Sequence, residues 1–147
     1  MKTILATGGL GFIGSHTCVS LLNAGYKIII IDSLINSSIG TLKNIGIINN
    51  NFSLTCENQV TFKKGDLRDF KFIDNIFEEA RISDQPIDAV IHFAGLKSVE
   101  ESIIKPLAYW DSNVSGTINL LNAMKKNNCH SIVFSSSATI YKSKLIE

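Results

Sequence analysis

The stretch TGGLGFIGSH, residues 7–16, follows a short aliphatic run and opens a segment of helical period. It holds Gly9-x-Gly11-x-x-Gly14, and Gly8 adds a second series, Gly8-x-x-Gly11-x-x-Gly14. Glycine tolerates the positive φ of a tight turn, and the absence of a Cβ lets a bulky anion come close to the backbone. A third glycine allows the following helix to pack tightly on its strand. The start of that helix offers unpaired N–H groups and a partial positive charge. Spacing alone also fits a plain tight turn, so the surroundings of the motif decide its meaning.

Those surroundings are regular. Residues 2–7, 27–32, 60–66, 87–94 and 130–137 read as strands, and their apolar runs are continuous enough to predict cover on both faces of a sheet. Residues 12–24, 70–81 and 106–126 have helical period. In the last of these, Leu107, Trp110, Val114, Ile118, Leu121 and Met124 recur every three or four positions behind Pro106. Alternating strands and helices predict right-handed βαβ units in a doubly wound parallel α/β sheet of Rossmann type, forming one domain over residues 1–147. The Asn-, Ser- and Gly-rich segment 33–59 reads as a long surface connection with a short helix near 41–45.

Within that frame Asp32 ends the second strand, about 20 residues beyond the glycines, where a carboxylate can accept hydrogen bonds from ribose hydroxyls. Acid at that place repels a 2′-phosphate, and no arginine occurs between Asp32 and Arg68 to offset it. The expected cofactor is therefore NAD and not NADP. Ligands of such sheets bind beyond the carboxyl ends of the strands. Asp66 and Leu67 end the third strand, facing the adenine, and Phe93, Ala94, Gly95, Leu96 and Lys97 end the fourth. Lys97 is read two ways, as a bare surface lysine or as a ligand to a phosphate or the nicotinamide side.

Charge is nearly balanced, with 14 basic and 13 acidic residues well mixed, which argues against nucleic acid or an anionic membrane as partner. The run at residues 28–31 is too short to span a bilayer, and Gly8, Gly9 and Gly11 interrupt any signal-peptide core, so a cytoplasmic location is expected. Cys18, Cys56 and Cys129 are widely spaced and read as buried thiols, with no metal site.

The combination TGGxGxIGSH, IHFAGLK, Asn113-Val-x-Gly-Thr and FSSSAT resembles the extended short-chain dehydrogenase/reductase family, over nearly the whole chain. Within it the likeness is to the branch that inverts C4 of UDP-hexoses. The resemblance implies an isomerase of galactose metabolism with tightly held NAD, acting on UDP-glucose and UDP-galactose. It places Phe12 and Ile13 along the diphosphate, and Asp32, Ser33, Leu34, Asn36 and Ser37 around the adenosine. Asp66 and Leu67 fall at the adenine, and residues 93–97 with Asn113 line the cofactor groove. The position before Asn113, often Asn in this branch, holds Ser112. Two other readings stand beside this one. A 4,6-dehydratase of the same family would place an acidic pair near the serine motif, where Ser-Ser-Ala-Thr supplies none. A non-catalytic dinucleotide-binding module is the third.

For catalysis the resemblance implies a serine, a tyrosine and a lysine, matched here by Ser137, Tyr141 and Lys144. Bringing a phenol from about 10 to about 7 requires roughly 4 kcal/mol, much of which a neighbouring cation supplies. The family spacing is Tyr-x-x-x-Lys, which stacks the two groups on one helix face. Here Lys144 follows Tyr141 by three residues. Tyr141 is thus either the base or the strand-end tyrosine that precedes a connecting segment in the family. The latter reading implies a chain cut or internally deleted before the domain that grips the nucleotide sugar. It also predicts little turnover, an incomplete dimer interface and an uncovered apolar stripe around Trp110.

Overall fold

The structure, a computed structural model, describes residues 1–48 and 59–137. Five parallel strands are ordered β3-β2-β1-β4-β5, namely β1 Thr3–Thr7, β2 Lys27–Asp32, β3 Val60–Lys64, β4 Ile87–His92 and β5 Ile132–Phe134. The chain winds outward from β1 to β3 on one side, then crosses back to β4 on the other. The crevice between β1 and β4 is therefore the topological switch point, where strand-end loops diverge and a ligand can enter.

Period-two alternation divides the sheet residues between two cores. Leu5, Ile31 and Val90 face α3 (Phe70–Ile82) and α6 (Gly116–Lys126), meeting Ile73, Ile76, Phe77, Leu120 and Met124. Ala6, Ile28 and Ile30 face the other way, against Cys18 and Leu22 of α1 (Phe12–Asn23) and Ile45 of α2 (Gly40–Ile48). Leu5 is fully buried. Cutting such a side chain back to alanine costs about 2–5 kcal/mol.

The doubly wound parallel sheet is as expected, but its cover is uneven. The central strands β1, β2 and β4 are largely enclosed, whereas Ile132, Val133 and Phe134 of β5 are all exposed. A run of apolar residues thus does not by itself mean two covered faces. The connection after β2 carries more helix than expected, the nine residues of α2 and not five, because Ile45 reaches the core and anchors it. Residues 49–58 of that connection, with Cys56, lie outside the described residues. Cys18 and Cys129 are buried free thiols.

The long helix expected at 106–126 is broken in its middle. Pro106 opens α5 (Pro106–Trp110), a π-helical turn covers Asp111–Ser115, and α6 completes the run. A short helix α4, Val99–Ile104, precedes it. Its apolar residues Val99, Ile103 and Ile104 point outward, so no buried stripe announces it. The signal it does carry is a cap: the Ser98 hydroxyl accepts from the Glu101 amide at 3.2 Å, the Ser-x-x-Glu pattern of a helix start. Among the described residues no helix is long and apolar enough to cross a membrane, and no cluster of metal-binding side chains occurs.

Candidate functional site

The glycine bend sits at the carboxyl end of β1, flanked by its neighbours' strand ends. Gly8 N–H donates to the Ile31 carbonyl at 2.7 Å and Phe93 N–H to the Thr7 carbonyl at 2.9 Å, so both ladders continue past the formal strands. Gly8 has φ +67°, and a Cβ there would lie 2.6 Å from Ala94 N. A Cβ on Gly14 would run into the Gly8 carbonyl oxygen. These two positions are closed to any side chain, one by conformation and contact, the other by contact alone.

Helix α1 begins on Gly11, which has no side chain to cap it, and its first internal bond is Ser15 N–H to Gly11 O at 2.9 Å. The amides of residues 12–14 precede that bond and are left to meet an external acceptor. No acidic residue stands in the first turn to compete. The fit to a diphosphate is therefore a matter of donors and space, and both are present.

Asp32 is only 6% exposed. Its Oδ2 accepts from the Leu10 amide at 3.0 Å, and its Oδ1 from the Leu34 amide at 3.0 Å and the Ser37 hydroxyl at 2.7 Å. A carboxylate has about four acceptor positions, so one remains for an incoming hydroxyl. Leu34 pays a conformational penalty here, with φ +61°, and its side chain packs into the α1–α2 core. Leu34 and Ser37 therefore shape the acidic corner and do not themselves line the cavity.

That cavity, about 360 Å³, opens along the carboxyl edge of the sheet. Of the residues singled out in the sequence, Gly8, Gly11, Phe12, Ile13, Gly14, Asp32, Ser33, Asn36, Asp66, Leu67 and residues 93–97 all border it. Ile35, within the span 32–37 expected around the adenosine, borders it too, and Ile31, Gly65 and Ser112 join without having been singled out as contacts. Gly65 was legible as the glycine closing a strand before Asp66.

Asp66 lies beneath Arg68, whose Nη2 is 2.7 Å from Oδ2 and Nε 3.1 Å from Oδ1. The guanidinium's hydrogen bonds hold the Asp66 carboxyl below its usual range. Arg68 also reaches Asp111 at 3.2 Å, and Asn119 Nδ2 donates to the carbonyls of Leu67 and Arg68, so the π turn and α6 fasten the third strand end.

Asn113 does not border the cavity but holds its rim. Leu96 N–H donates to Asn113 Oδ1 at 2.8 Å, and Asn113 Nδ2 donates to Leu96 O at 2.9 Å. Behind it lies a side chain that motif reading passed over. His92 ends β4, is 3% exposed, and lies between Thr7 Oγ1 at 2.6 Å and Thr117 Oγ1 at 2.9 Å. Burial pushes its imidazole down to about 4, so the ring is neutral at physiological pH. Lys97 is exposed on the rim. Ser137 is exposed, three residues past β5 and at the same edge of the sheet, without bordering the cavity. Tyr141 and Lys144 lie outside the described residues.

Comparison with known proteins agrees with this geometry. The family model described as GDP-mannose 4,6 dehydratase matches residues 5–144. UDP-glucose 4-epimerase of Neisseria meningitidis serogroup A is 49% identical over 141 residues, covering 96% of this chain and 38% of that protein. The Bacillus subtilis protein of that name is 48% identical over 138 residues, covering 94% and 37%. Among solved structures, UDP-glucose 4-epimerase from Stenotrophomonas maltophila with bound NAD and formylated UDP-arabinopyranose superimposes with TM-score 0.85 at 41% identity, covering 100% of this chain and 41% of that one. The Bifidobacterium longum epimerase in complex with NAD+ and UDP gives 0.83 at 42% identity, covering 98% and 40%. The chain thus spans about two-fifths of the length of the relatives it matches.

Proposed function

The chain belongs to the family described as GDP-mannose 4,6 dehydratase, whose model matches residues 5–144, and from that premise we propose that it is the NAD-binding domain of a UDP-glucose 4-epimerase. The observation that carries this reading is one open cavity bordered by the side-chain-free bend, the uncapped start of α1 and the Asp32 carboxylate. The first two suit the diphosphate and the third the adenosine ribose of a dinucleotide. Asp66, Leu67 and Gly65 border the adenine end, and residues 93–97 the opposite end. In this reading the chain, which spans about two-fifths of its relatives' length, corresponds to their dinucleotide-binding part.

Bound NAD would supply a hydride acceptor that returns the hydride to the sugar. The protein's own contribution is to hold the reactants and manage a proton. In this reading the Ser137 hydroxyl hydrogen-bonds the reacting oxygen at C4 of UDP-glucose or UDP-galactose. The proton of the sugar's 4-hydroxyl goes to a tyrosine phenolate, and the Lys144 ammonium favours the phenolate by its charge. Tyr141 precedes Lys144 by three residues, which turns it about 100° from the four-residue stacking on a helix. A misplacement of that order removes most of the benefit of a positioned base. The dehydratase reading is the weaker one, because the relatives compared above are epimerases and Ser137-Ala138-Thr139 lacks the acidic pair.

Titration calorimetry with NAD and NADP tests the binding half. Saturable NAD binding with clearly weaker NADP binding is expected, and absence of NAD binding overturns the proposal. Incubation with UDP-galactose tests the chemistry. Slow or negligible formation of UDP-glucose is expected from this chain, while a 4-keto-6-deoxy product would replace the epimerase reading by the dehydratase one.

A further inference from the structure

The hydrogen bonds around His92 have a direction that can be deduced. The Asn113 carbonyl only accepts, so the Thr117 hydroxyl, 2.6 Å away, must give it its proton. Thr117 Oγ1 can then only accept from His92, which fixes the ring proton on Nε2. In the neutral ring Nδ1 is bare, and the Thr7 hydroxyl donates to it. The line runs without a break from Thr7, the residue before the bend, through His92 and Thr117 to Asn113. Asn113 in turn grips Leu96 by both its amide and its carbonyl.

Two details make this line more than routine satisfaction of buried polar groups. It joins five separate elements: β1, β4, α6, the π turn and the loop 93–97. It also passes through the π turn, where carbonyls bond five residues ahead and not four, and where such turns often mark functional positions. Thr117, four residues after Asn113, takes that carbonyl with its side chain.

We propose that His92 is a positioning residue which, through Thr117 and Asn113, fixes the far rim of the groove at Leu96–Lys97 relative to the diphosphate bend. The proposal rests on the dinucleotide reading for its ligand, but not for its geometry. It separates the two halves of the cofactor. The adenosine half is held by Asp32 and the third strand end, to which none of the hydrogen bonds of the line is made, whereas the half bound between residues 93–97 depends on it.

Thr117→Val removes the hydroxyl while keeping the β-branched shape, and Thr117→Ser keeps the hydroxyl. In the unliganded protein, amide hydrogen exchange at Leu96 is expected to quicken about tenfold in Thr117→Val, with Leu5 in the core unchanged, and to return near the parent rate in Thr117→Ser. Calorimetry is expected to show NAD affinity reduced about five- to tenfold in Thr117→Val, ADP affinity within about twofold of the parent, and recovery for NAD in Thr117→Ser. An unchanged Leu96 rate, a uniform rise at Leu96 and Leu5, or equal loss for NAD and ADP overturns the proposal. A parent protein that binds no NAD, yet shows the selective Leu96 response, overturns the dinucleotide reading and leaves the positioning role standing.

Discussion

The amide of Leu10, inside the glycine bend, donates to Asp32 Oδ2 at 3.0 Å. The bend and the acidic residue are thus one mechanical unit, although the sequence separates them by a helix. Asp32 shapes the glycine bend before any ligand arrives, and through Oδ1 it also ties down Leu34 and Ser37.

Asp32→Ala therefore has two consequences. Loss of a charge-assisted contact to the ribose weakens NAD binding by about 1–3 kcal/mol, and the orphaned Leu10 and Leu34 amides lower folding stability by a similar amount. Ser37→Ala removes only one donor and leaves the carboxylate in place, so its effect on either quantity stays near 1 kcal/mol. Calorimetry and urea unfolding of the two variants check this. Undiminished NAD affinity in Asp32→Ala rules out the ribose contact.

Gly8→Ala tests the bend itself. The new methyl carbon would sit 2.6 Å from Ala94 N, on a residue with φ +67°, and the obstacle is backbone with no side chain to swing aside. A loss of about 2–4 kcal/mol in urea unfolding is expected, from strain and overpacking together. Gly25→Ala serves as a comparison. It shares the positive φ, at +82°, but has open space around it, so only the conformational part of the penalty applies, near 1 kcal/mol.

Stability also depends on pH through His92. Its ordinary value of 6.5 applies in the unfolded chain, and burial lowers it to about 4 in the native state. Between those values the unfolded chain holds a proton that the native state refuses, so the free energy of unfolding rises with pH across the window and falls on acidification. From pH 7 to pH 5 the loss amounts to about 2 kcal/mol. Thr7, Thr117 and the ring of Phe134, which are its contacts in the structure, are all uncharged. The carboxyls of Asp66, Asp74 and Glu101 are held below their usual range, so their protonation adds to the loss only at lower pH. Urea midpoints at pH 5 and 7 measure the effect, and His92→Gln should abolish most of the difference. A parent protein equally stable at both values contradicts the assignment.

The sheet, its parallel sense and the groove were legible because each rests on a local signal with a physical cause. Glycines at 8, 11 and 14 mark a backbone that tolerates no Cβ, and an acid at the end of β2 marks a strand terminus. His92 was not legible, since nothing in IHFAG distinguishes a buried, doubly bonded imidazole from a surface one. Its partners Thr7 and Thr117 come from other elements, and only the register of β1 with β4 brings Thr7 opposite His92. The π turn was hidden for a related reason. The apolar period from Leu107 to Met124 runs through it, and the change in hydrogen bonding leaves no mark on which residues are apolar.

Part of that same period lies open to solvent, as expected for the stripe around Trp110, and this yields the last prediction. Leu120, Ala123 and Met124 face the core, but Leu107 is 83% and Trp110 67% exposed, with Ile103, Ile104, Ile118 and Leu121 also open to solvent. An apolar surface running along α4, α5 and α6 favours association, because each large side chain removed from water contributes about 1.5–3 kcal/mol. The isolated chain should therefore sediment as larger species as its concentration rises through the micromolar range. Trp110→Lys, which breaks the surface at its largest side chain, should shift the distribution toward monomer while leaving the urea midpoint almost unchanged, since Trp110 has little burial to lose. Sedimentation velocity at several concentrations decides the matter. If the parent chain remains monomeric throughout, the exposed face does not drive association; if Trp110→Lys unfolds more readily, that side chain is supporting the fold from within.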